Sequence, residues 1–437
     1  MKLKLATNSK LEALFISDNS KECNGECAFL LTPLSAKYSD DALAQGAKEF
    51  VSANELSEIF DLSNIKIIGI TGTNGKTTTA AAIYSILTDL GYKTALQGTR
   101  GFFIGEERVE EKSLTTPMQL VIFANILKAI ENGCEYFVME VSSHAIAQRR
   151  IEGLKFALKI ITNITQDHLD FHKTFENYRD IKNSFLSDES LKLINADDEN
   201  IVFNPKNSVL YGVEKGADFK VEAYSFRDGI CAILANKGKS ISFSSVMTGL
   251  FNVYNLSAAI GAVRLLTNKE LEDICSVVEN FGGVSGRMEV VSLNPLIVVD
   301  FAHTPDGIIK VLEALPGKKL TVVFGAGGDR DKEKRPKMGH EVSLRASKII
   351  ITSDNPRSES AEMIANEIAG GIDHTKKYEI ILDRREAIKK AIFEQTDDVV
   401  LLLGKGDEQY QIIGDEHFTF DDRVVANEIL AEKRSIK

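Results

Sequence analysis

A glycine-rich segment, Gly69-Ile-Thr-Gly-Thr-Asn-Gly-Lys-Thr-Thr, carries the clearest chemical signal in the chain. It follows an apolar run and opens a helical pattern, the context in which a phosphate-binding loop is credible. Glycines let backbone N–H groups turn onto phosphate oxygens, and the helix N-terminus adds a favourable dipole. Lys76 would reach the β- and γ-phosphates of a nucleotide, while the Thr77 hydroxyl would bind Mg²⁺.

The strict P-loop spacing fails by one residue, because Ile70 stands where the pattern requires glycine. A glycine-rich turn without a ligand is therefore the structural alternative. A GTPase is disfavoured, since Asn268-Lys269 is followed by Glu270 and Leu271 rather than completing Asn-Lys-x-Asp. These residues alone leave open the alternative of a P-loop ATPase that acts as a nucleotide-driven switch.

Other candidate side chains follow later patterns in the chain. Glu140 follows the apolar run Tyr136–Met139, at the strand end where ligands of open α/β sheets bind, and a carboxylate there suits Mg²⁺. From the residues alone, His168 is more simply a hydrogen-bonded loop histidine. Lys182, four residues after Tyr178, is more simply a solvated surface charge.

Strand-like apolar runs alternate with helical patterns over two long stretches, which predicts parallel sheets with helices on both faces. The predicted strands are 65–70, 136–141, 158–164, 296–301, 320–325, 348–353, 378–382 and 399–404, and the predicted helices include 77–90 and 117–132. Before them, 28–32 is predicted as a strand and 40–50 as a helix. Three glycines between Phe281 and Arg287 mark a join.

These patterns predict three α/β domains in the 437 residues. They are a small N-terminal α/β domain (1–63), a central P-loop-type parallel-sheet ATPase domain (64–285) and a C-terminal Rossmann-like α/β domain (286–437).

Composition excludes several classes of protein. The chain has 52 Lys+Arg against 63 Asp+Glu, a net charge of −11, which disfavours nonspecific nucleic-acid binders and proteins of anionic membrane surfaces. No apolar run approaches the ~18–20 residues that span a bilayer, and the N-terminus lacks the apolar segment of a secretory signal. Five scattered cysteines are typical of reduced thiols. We therefore expect a cytoplasmic monomer with no nucleic-acid or membrane partner.

An ordered series of motifs across nearly the whole chain resembles the Mur ligases, ATP-dependent amide-forming enzymes of peptidoglycan synthesis. The motifs are Thr71-Gly-Thr-Asn-Gly-Lys-Thr, Glu140-Val-Ser-Ser-His, Asn163-Ile-Thr-Gln-Asp-His-Leu-Asp-Phe-His, Tyr178-Arg-Asp-Ile-Lys182, Gly249-Leu-Phe-Asn-Val-Tyr-Asn255, Gly286-Arg-Met-Glu, Asp300-Phe-Ala-His-Thr-Pro-Asp and Gly327-Gly-Asp-Arg-Asp. Two more motifs narrow this resemblance to the branch of the family that adds the third residue to a UDP-N-acetylmuramoyl dipeptide. They are Asp354-Asn-Pro-Arg357 and Gly404-Lys-Gly-Asp-Glu408.

The resemblance implies ATP and Mg²⁺ as cofactors and assigns residues to both. ATP would contact Gly72, Thr73, Asn74, Gly75, Lys76, Thr77, Thr78, Asn252, Asn255, Arg287, Asp300 and His303. Mg²⁺ would be held by Thr77, Glu140, His168 and a CO₂-derived carbamate on Lys182. The expected catalytic residues are Lys76, Glu140, His168 and Lys182.

It also implies contacts for two further substrates. The UDP-linked dipeptide would meet Ser20, Thr115, Thr116, Ser142, Gln148 and Arg150. The incoming amino acid would meet Arg330, Asp354, Asn355, Arg357, Gly404 and Glu408. In the first domain the chain departs from the family, because Asn19-Ser20-Lys21 stands where the family has Asp-Ser-Arg.

The amino acid is expected to be meso-diaminopimelate. Arg357 presents a planar, permanently charged fork that matches a carboxylate, and it would repel the terminal ammonium of lysine. The family's Gly-Lys-Gly-His-Glu reads Gly-Lys-Gly-Asp-Glu here, so Asp407 adds a potential anion beside Glu408.

The resemblance implies a reaction in which the dipeptide carboxylate attacks the γ-phosphate, giving an acyl phosphate and ADP. The amine of diaminopimelate then displaces phosphate. The alternatives are a lysine-adding enzyme of the same branch, a folylpolyglutamate-synthase-like ligase and, more remotely, the ATPase switch.

Overall fold

The first sheet gathers short strands near the N-terminus of the computed structural model, which describes residues 1–5, 10–111, 114–227 and 229–436. Its strands, in spatial order, are β1 (Lys2–Lys4), β2 (Phe15–Ser17), β3 (Cys27–Leu31) and β4 (Glu49–Ser52). The predicted strand 28–32 is confirmed as β3. Helix α1 (Ser39–Ala44) occupies only the first half of the predicted helix 40–50.

The second half of that prediction is wrong, because 49–52 is strand β4, parallel to β3. Gly46 adopts φ 93°, a conformation that favours glycine and ends the helix. In the following strand Val51 is buried while its neighbours Phe50 and Ser52 face outward, so a period of two replaces the helical one.

The central sheet is larger and less uniform than predicted. Its strands are β5 (Lys66–Thr71), β6 (Thr94–Gly98), β7 (Gly101–Ile104), β8 (Glu107–Glu110), β9 (Tyr136–Glu140), β10 (Phe156–Ile161), β11 (Lys192–Asn195), β12 (Ser208–Gly212), β13 (Phe219–Ser225), β14 (Ile230–Asn236) and β15 (Lys239–Ser245). The spatial order is β15-β14-β13-β12-β11-β10-β5-β9-β6-β7-β8. The middle is parallel as predicted, but β6–β8 and β13–β15 add antiparallel ends.

The C-terminal sheet has the predicted Rossmann-like character. Its strands are β16 (Glu289–Leu293), β17 (Leu296–Asp300), β18 (Leu320–Phe324), β19 (Lys348–Ile351), β20 (Tyr378–Ile380) and β21 (Val399–Leu403), in the order β16-β17-β21-β18-β19-β20. Only β16 is antiparallel to its neighbour. A separate hairpin joins β22 (Tyr410–Ile413) to β23 (Glu416–Thr419).

Helices cover both faces of the two larger sheets. After α1 they are α2 (Leu56–Ile59), α3 (Lys76–Asp89), α4 (Gln119–Glu131), α5 (Ser143–Ala147), α6 (Leu169–His172), α7 (Phe175–Ser184), α8 (Leu250–Leu266), α9 (Leu271–Val277), α10 (Pro305–Glu313), α11 (Lys334–Arg345), α12 (Ala361–Ala369), α13 (Arg384–Phe393) and α14 (Asp422–Ile436). Short 3₁₀ turns occupy Ser20–Glu22, Ala36–Tyr38, Ala53–Glu55 and Val278–Asn280. The predicted helices 77–90 and 117–132 are confirmed as α3 and α4.

Two of these helices explain the depth of the central core. Helix α8 is apolar around its circumference and packs against α3 within one hydrophobic cluster.

Among the described residues, no helix is both long and apolar enough to cross a bilayer. The sheets fall within the three segments predicted from the sequence, and the boundaries between those segments stay predictions.

A buried ion pair fixes the C-terminal strand ends. Arg384, at the start of α13, pairs with Asp422 at 2.6 Å, and both side chains are fully buried. The same guanidinium donates to the carbonyls of Ser353 and Leu403, at 3.4 and 3.0 Å. It therefore ties the loops after β19 and β21 to the two helices behind them.

We predict that Arg384→Leu destabilises the fold by about 3–5 kcal/mol, because it leaves the Asp422 carboxylate buried without its partner. Urea denaturation followed by circular dichroism measures the loss. The neighbouring Arg385→Leu is the control, since Arg385 pairs with Glu428 and Glu432 near the surface and its loss should cost less than about 1 kcal/mol. Equal losses in the two variants would contradict the assignment.

Candidate active site

The glycine-rich loop lies between strand β5 and helix α3, as predicted. Gly75 has φ 86°, and a Cβ there would collide with the side-chain oxygen of Asn255. The Lys76 ammonium donates to the Gly72 and Thr73 carbonyl oxygens, at 2.7 and 2.9 Å. Burial lowers the pKa of Lys76 despite the nearby carboxylates. Because both hydrogen-bond partners of Lys76 are neutral carbonyl oxygens, its ammonium remains available to bind an anion.

Lys182 is buried rather than on the surface, so the surface interpretation of this residue is wrong. It is 1% exposed, and its ammonium donates to the same Gly72 carbonyl at 2.8 Å. Burial and the charge of Lys76 lower its pKa well below the ordinary value. Tyr178, one helical turn earlier, lies beneath it, with the ring centroid 4.9 Å from the nitrogen. The Tyr178 hydroxyl in turn contacts the Thr73 hydroxyl at 2.9 Å.

Glu140 lies at the end of β9 and faces the start of α3. The Thr77 hydroxyl donates to one carboxylate oxygen at 2.9 Å, and the Thr99 backbone N–H donates to the other at 2.8 Å. Gly98 allows this approach, because a Cβ there would collide with Glu140. A hydroxyl and a carboxylate side by side at the end of a phosphate loop are the oxygen donors that Mg²⁺ prefers.

Three imidazoles lie close together in and around helices α5 and α6. His168 precedes α6 in a left-handed conformation (φ 55°), with its ring 3.5 Å from the carboxylate of Asp167. Its ring centroid is 4.9 Å from that of His144, which is 5.6 Å from that of His172. Burial lowers the pKa of His168 to about 3 and that of His172 to about 4. Both rings are therefore neutral at pH 7, the form that binds metal ions.

A cavity of about 710 Å³ opens beside the glycine-rich loop, between the central and C-terminal sheets. Of the residues predicted to contact ATP, its lining includes Asn74, Gly75, Thr78, Asn255, Arg287, Asp300 and His303. Asn252 lies behind this lining, where its side-chain oxygen accepts a hydrogen bond from Asn255 at 3.1 Å. Asn252 therefore supports the wall of the cavity through Asn255.

The C-terminal wall of this cavity is fixed from within. The Asp300 carboxylate accepts backbone hydrogen bonds from Met288 and Ala302, both at 2.7 Å, and burial raises its pKa. His303 Nδ1 lies 2.9 Å from the Phe301 carbonyl, which can only accept, so Nδ1 carries the proton. Burial lowers the pKa of His303 to about 4. The Arg287 guanidinium lies over the Phe301 ring, 4.3 Å from its centroid.

Hydrogen bonds join the segment that carries the central sheet directly to the segment that carries the C-terminal sheet. The Asn74 amide donates to the Asp306 carboxylate at 2.7 Å, and the Thr165 hydroxyl donates to the same group at 3.2 Å. Lys337 donates to the Gln166 side chain at 3.2 Å. The glycine-rich loop is thereby bound to the start of α10.

Five of the six residues predicted to hold the dipeptide form one connected group. Arg150 donates to the Gln148 side chain and, at 2.7 Å, to the Thr116 carbonyl. The Thr116 hydroxyl accepts from the Ser142 backbone N–H at 2.9 Å, and Thr115 contacts Thr99 through their hydroxyls at 3.2 Å. Arg150 is accordingly half-buried. Ser20, in contrast, lies in the first sheet's 3₁₀ turn and lines neither cavity described here.

A second cavity, of about 180 Å³, unites the residues predicted for the incoming amino acid. Arg330, Asp354, Asn355, Arg357, Gly404 and Glu408 all line it, together with His168, Asp167, Asp170, Lys334, Gly327, Phe301 and His303. Arg357 adopts φ 52° and donates to the Gly328 carbonyl at 2.9 Å. The Asn355 amide donates to Glu408 at 2.9 Å. Phe301 and His303 line both cavities, so the two cavities adjoin.

Sequence reasoning missed several residues of these walls. Lys334 and Asp167 line the second cavity, and Thr99 holds Glu140, yet none was assigned a role. Thr99 follows strand β6, whose short apolar stretch was not recognised. The four-residue spacing of Tyr178 and Lys182 was visible in the sequence. On a helix this spacing puts both side chains on the same face, so a buried tyrosine indicates a buried lysine.

Comparison with known proteins agrees with this geometry. The Mur ligase middle domain matches residues 70–263, and the Mur ligase, glutamate ligase domain matches residues 286–406. A UDP-N-acetylmuramoyl-L-alanyl-D-glutamate--2,6-diaminopimelate ligase of Wolinella succinogenes is 51% identical over 98% of each chain. The enzyme of that name from Helicobacter pylori is 49% identical over 98% of each chain.

A solved structure of a ligase with this name superposes with a TM-score of 0.67 at 28% identity, covering 99% of this chain and 100% of the other. The fold expectation of several α/β units is therefore confirmed, and the ordered motifs coincide with the matched domains. The chain belongs to the Mur ligase family of ATP-dependent amide-forming ligases.

Proposed function

We propose that this chain uses ATP to join meso-diaminopimelate to UDP-N-acetylmuramoyl-L-alanyl-D-glutamate, releasing ADP and phosphate. The observation that carries the proposal is the contact between two cavities of different chemistry. One borders the glycine-rich loop, the other contains carboxylate and guanidinium groups, and they share Phe301 and His303. An activated carboxyl group formed beside the loop would meet an amine bound next to it.

The described residues fit ATP and Mg²⁺. Asn74 and Gly75 of the loop line a cavity large enough for a nucleotide, and the next residue, Lys76, donates hydrogen bonds to neutral carbonyls. Thr77 and Glu140 supply oxygen donors, and the neutral His168 supplies a nitrogen. Mg²⁺ bound there would offset phosphate charge and polarise the γ-phosphoryl group. Lys76 would exchange the Gly72 carbonyl for phosphate oxygens.

The protein's other groups would orient the reactants. Arg150, with Gln148, Thr115, Thr116 and Ser142, would hold the anionic dipeptide so that its terminal carboxylate faces the γ-phosphate. That carboxylate forms a bond to phosphorus while ADP leaves. The amine then bonds to the acyl carbon, phosphate leaves and the amine loses a proton. Phe301 and His303 would exclude water between the cavities.

The remaining expectations form part of the same proposal. The first domain (1–63) would hold the uridine end through Ser20, the central domain (64–285) would activate with ATP, and the third (286–437) would select the amino acid. Cytoplasmic location and a monomeric state stay predictions.

Mass analysis of the product tests this function. The protein is incubated with ATP, the UDP-linked dipeptide, and equal diaminopimelate and L-lysine; we expect the diaminopimelate adduct, with one ADP per adduct. A lysine adduct would move the chain to lysine-adding enzymes of the branch. Ligation of glutamate to a folate would place it with folylpolyglutamate-synthase-like ligases. ADP release stimulated only by a protein partner would favour the switch.

We also propose that Lys182 is carbamylated. A buried amine with a lowered pKa is available as the neutral nucleophile, which bonds to CO₂ and releases a proton. Lys182→Ala should reduce kcat by about 10- to 100-fold, the usual effect of losing a group that supports a metal, with partial rescue by a short-chain carboxylate. ¹³C NMR with labelled CO₂ should show a carbamate resonance that this variant lacks.

Arg179→Ala is the matched control, because Arg179 lies on the same helix, is half-exposed and pairs with Asp180. It should keep both activity and the resonance. Full activity of Lys182→Ala would refute the carbamate.

Arg357 should set acceptor specificity. Arg357→Ala removes the fork that we assign to the distal carboxylate, so the KM for diaminopimelate should rise about 10- to 100-fold with little change in that for ATP. Steady-state kinetics with each substrate varied in turn measures both. Arg345→Ala, at an exposed ion pair with Glu313, should change neither. Parallel increases in both constants for Arg357→Ala would argue against the assignment.

A further inference from the structure

Lys334 stands out among the residues of the smaller cavity. It begins helix α11, is 7% exposed and lines the cavity wall. In the described part of the chain its ammonium forms no hydrogen bond and no ion pair within 4.0 Å. A lysine this buried is costly unless an anion pairs with it. The Lys334 ammonium is therefore available to an anionic group of a ligand in this cavity.

The cavity carries positive charge at two places. Arg330 and Arg357 lie close enough that, after burial, the charge of Arg330 is the next cause lowering the pKa of Arg357. Lys334 lies instead near Asp167 and His303, and all three side chains line the same cavity. Because His303 also lines the nucleotide cavity, Lys334 is at the inner end of the smaller one.

We propose that Lys334 binds the carboxylate next to the attacking amine of the incoming amino acid. This inference rests on the proposed function and deepens it. The amine must point toward the nucleotide cavity to reach the activated carboxyl group, so the carboxylate on the same carbon enters the inner end. A buried carboxylate there needs a cation, and Lys334 supplies it. Arg357 and Arg330 then serve the distal carboxylate, so the two ends of diaminopimelate meet separate cations.

Kinetics of Lys334→Met tests the assignment. The KM for diaminopimelate should rise about 10- to 100-fold, the loss expected for one charged hydrogen bond, while the KM values for ATP and the UDP-linked dipeptide change less than about twofold. Lys334→Arg keeps the charge and should recover most of the affinity. If Lys334→Met does not fold, Lys334→Gln removes the charge but keeps a polar side chain, and it should raise the KM for diaminopimelate by a similar factor; an unchanged KM would overturn the assignment.

Lys332→Met is the matched control. Lys332 lies two residues earlier, is half-exposed and pairs with Glu359 at 2.9 Å outside the cavity lining, so its loss should leave the KM for diaminopimelate unchanged. Hydroxylamine trapping of the acyl phosphate gives a further readout. Normal trapping with a raised acceptor KM supports the proposal, whereas reduced trapping with an unchanged acceptor KM would assign Lys334 to the phosphate and overturn it.

The outcome is separable from that of the proposed function. If the wild-type protein adds an amino acid other than diaminopimelate, the specificity fails but the Lys334 test is run on that acceptor, since every α-amino acid carries the carboxylate in question. If diaminopimelate is the acceptor and Lys334→Met and Lys334→Arg both leave its KM unchanged, the function stands and this inference fails.

Discussion

Excess positive charge around one carbonyl oxygen governs the organisation of the site. Lys76 and Lys182 both donate to the Gly72 carbonyl, at 2.7 and 2.8 Å, and burial lowers the pKa of each. Two amines at such short range in a buried site repel each other when charged, and the nearby carboxylates of Glu140 and Asp167 offset only part of the effect of burial and repulsion. Phosphate oxygens and a carbamate would relieve this repulsion. The strand before the loop and helix α7 are placed so that the two side chains meet there.

The same constraint explains why the C-terminal unit must close over the loop. The Asp306 carboxylate accepts hydrogen bonds from Asn74 and Thr165, and Phe301 and His303 of the same connection separate the two cavities. Phosphoryl and acyl transfer need a site shielded from water, because an acyl phosphate hydrolyses in water. Neither unit alone supplies that shielding, so the chemistry belongs to their interface.

Local sequence patterns predicted most helices and strands well. They could not predict which residues far apart in the chain come into contact in the fold. Helix α3 follows strand β5 as expected, because apolar period and glycine placement are local properties. The helix 40–50 failed at Gly46, where the period changes from helical to alternating. Lys182 looked solvated because its partner, the Gly72 carbonyl, is 110 residues away in the chain. Resemblance to a family supplied what periodicity lacked, because the six residues that it assigned to the incoming amino acid all line one cavity in the structure.

Opposite charges line the smaller cavity, which suits it to an acceptor that carries both an ammonium and a carboxylate. Asp354 and Glu408 lie within the same lining as Arg357, so an ammonium and a carboxylate on one carbon can both be paired at the distal end. A lysine acceptor brings only the ammonium, and its binding would leave the half-buried Arg357 without the substrate carboxylate that we assign to it. Arg357 adopts a left-handed backbone conformation that costs about 1 kcal/mol or more, and the backbone bonds to Ile412 and Gly414 hold it there. If Arg357 binds the acceptor as proposed, discrimination depends on the hairpin that holds this residue as much as on the guanidinium itself.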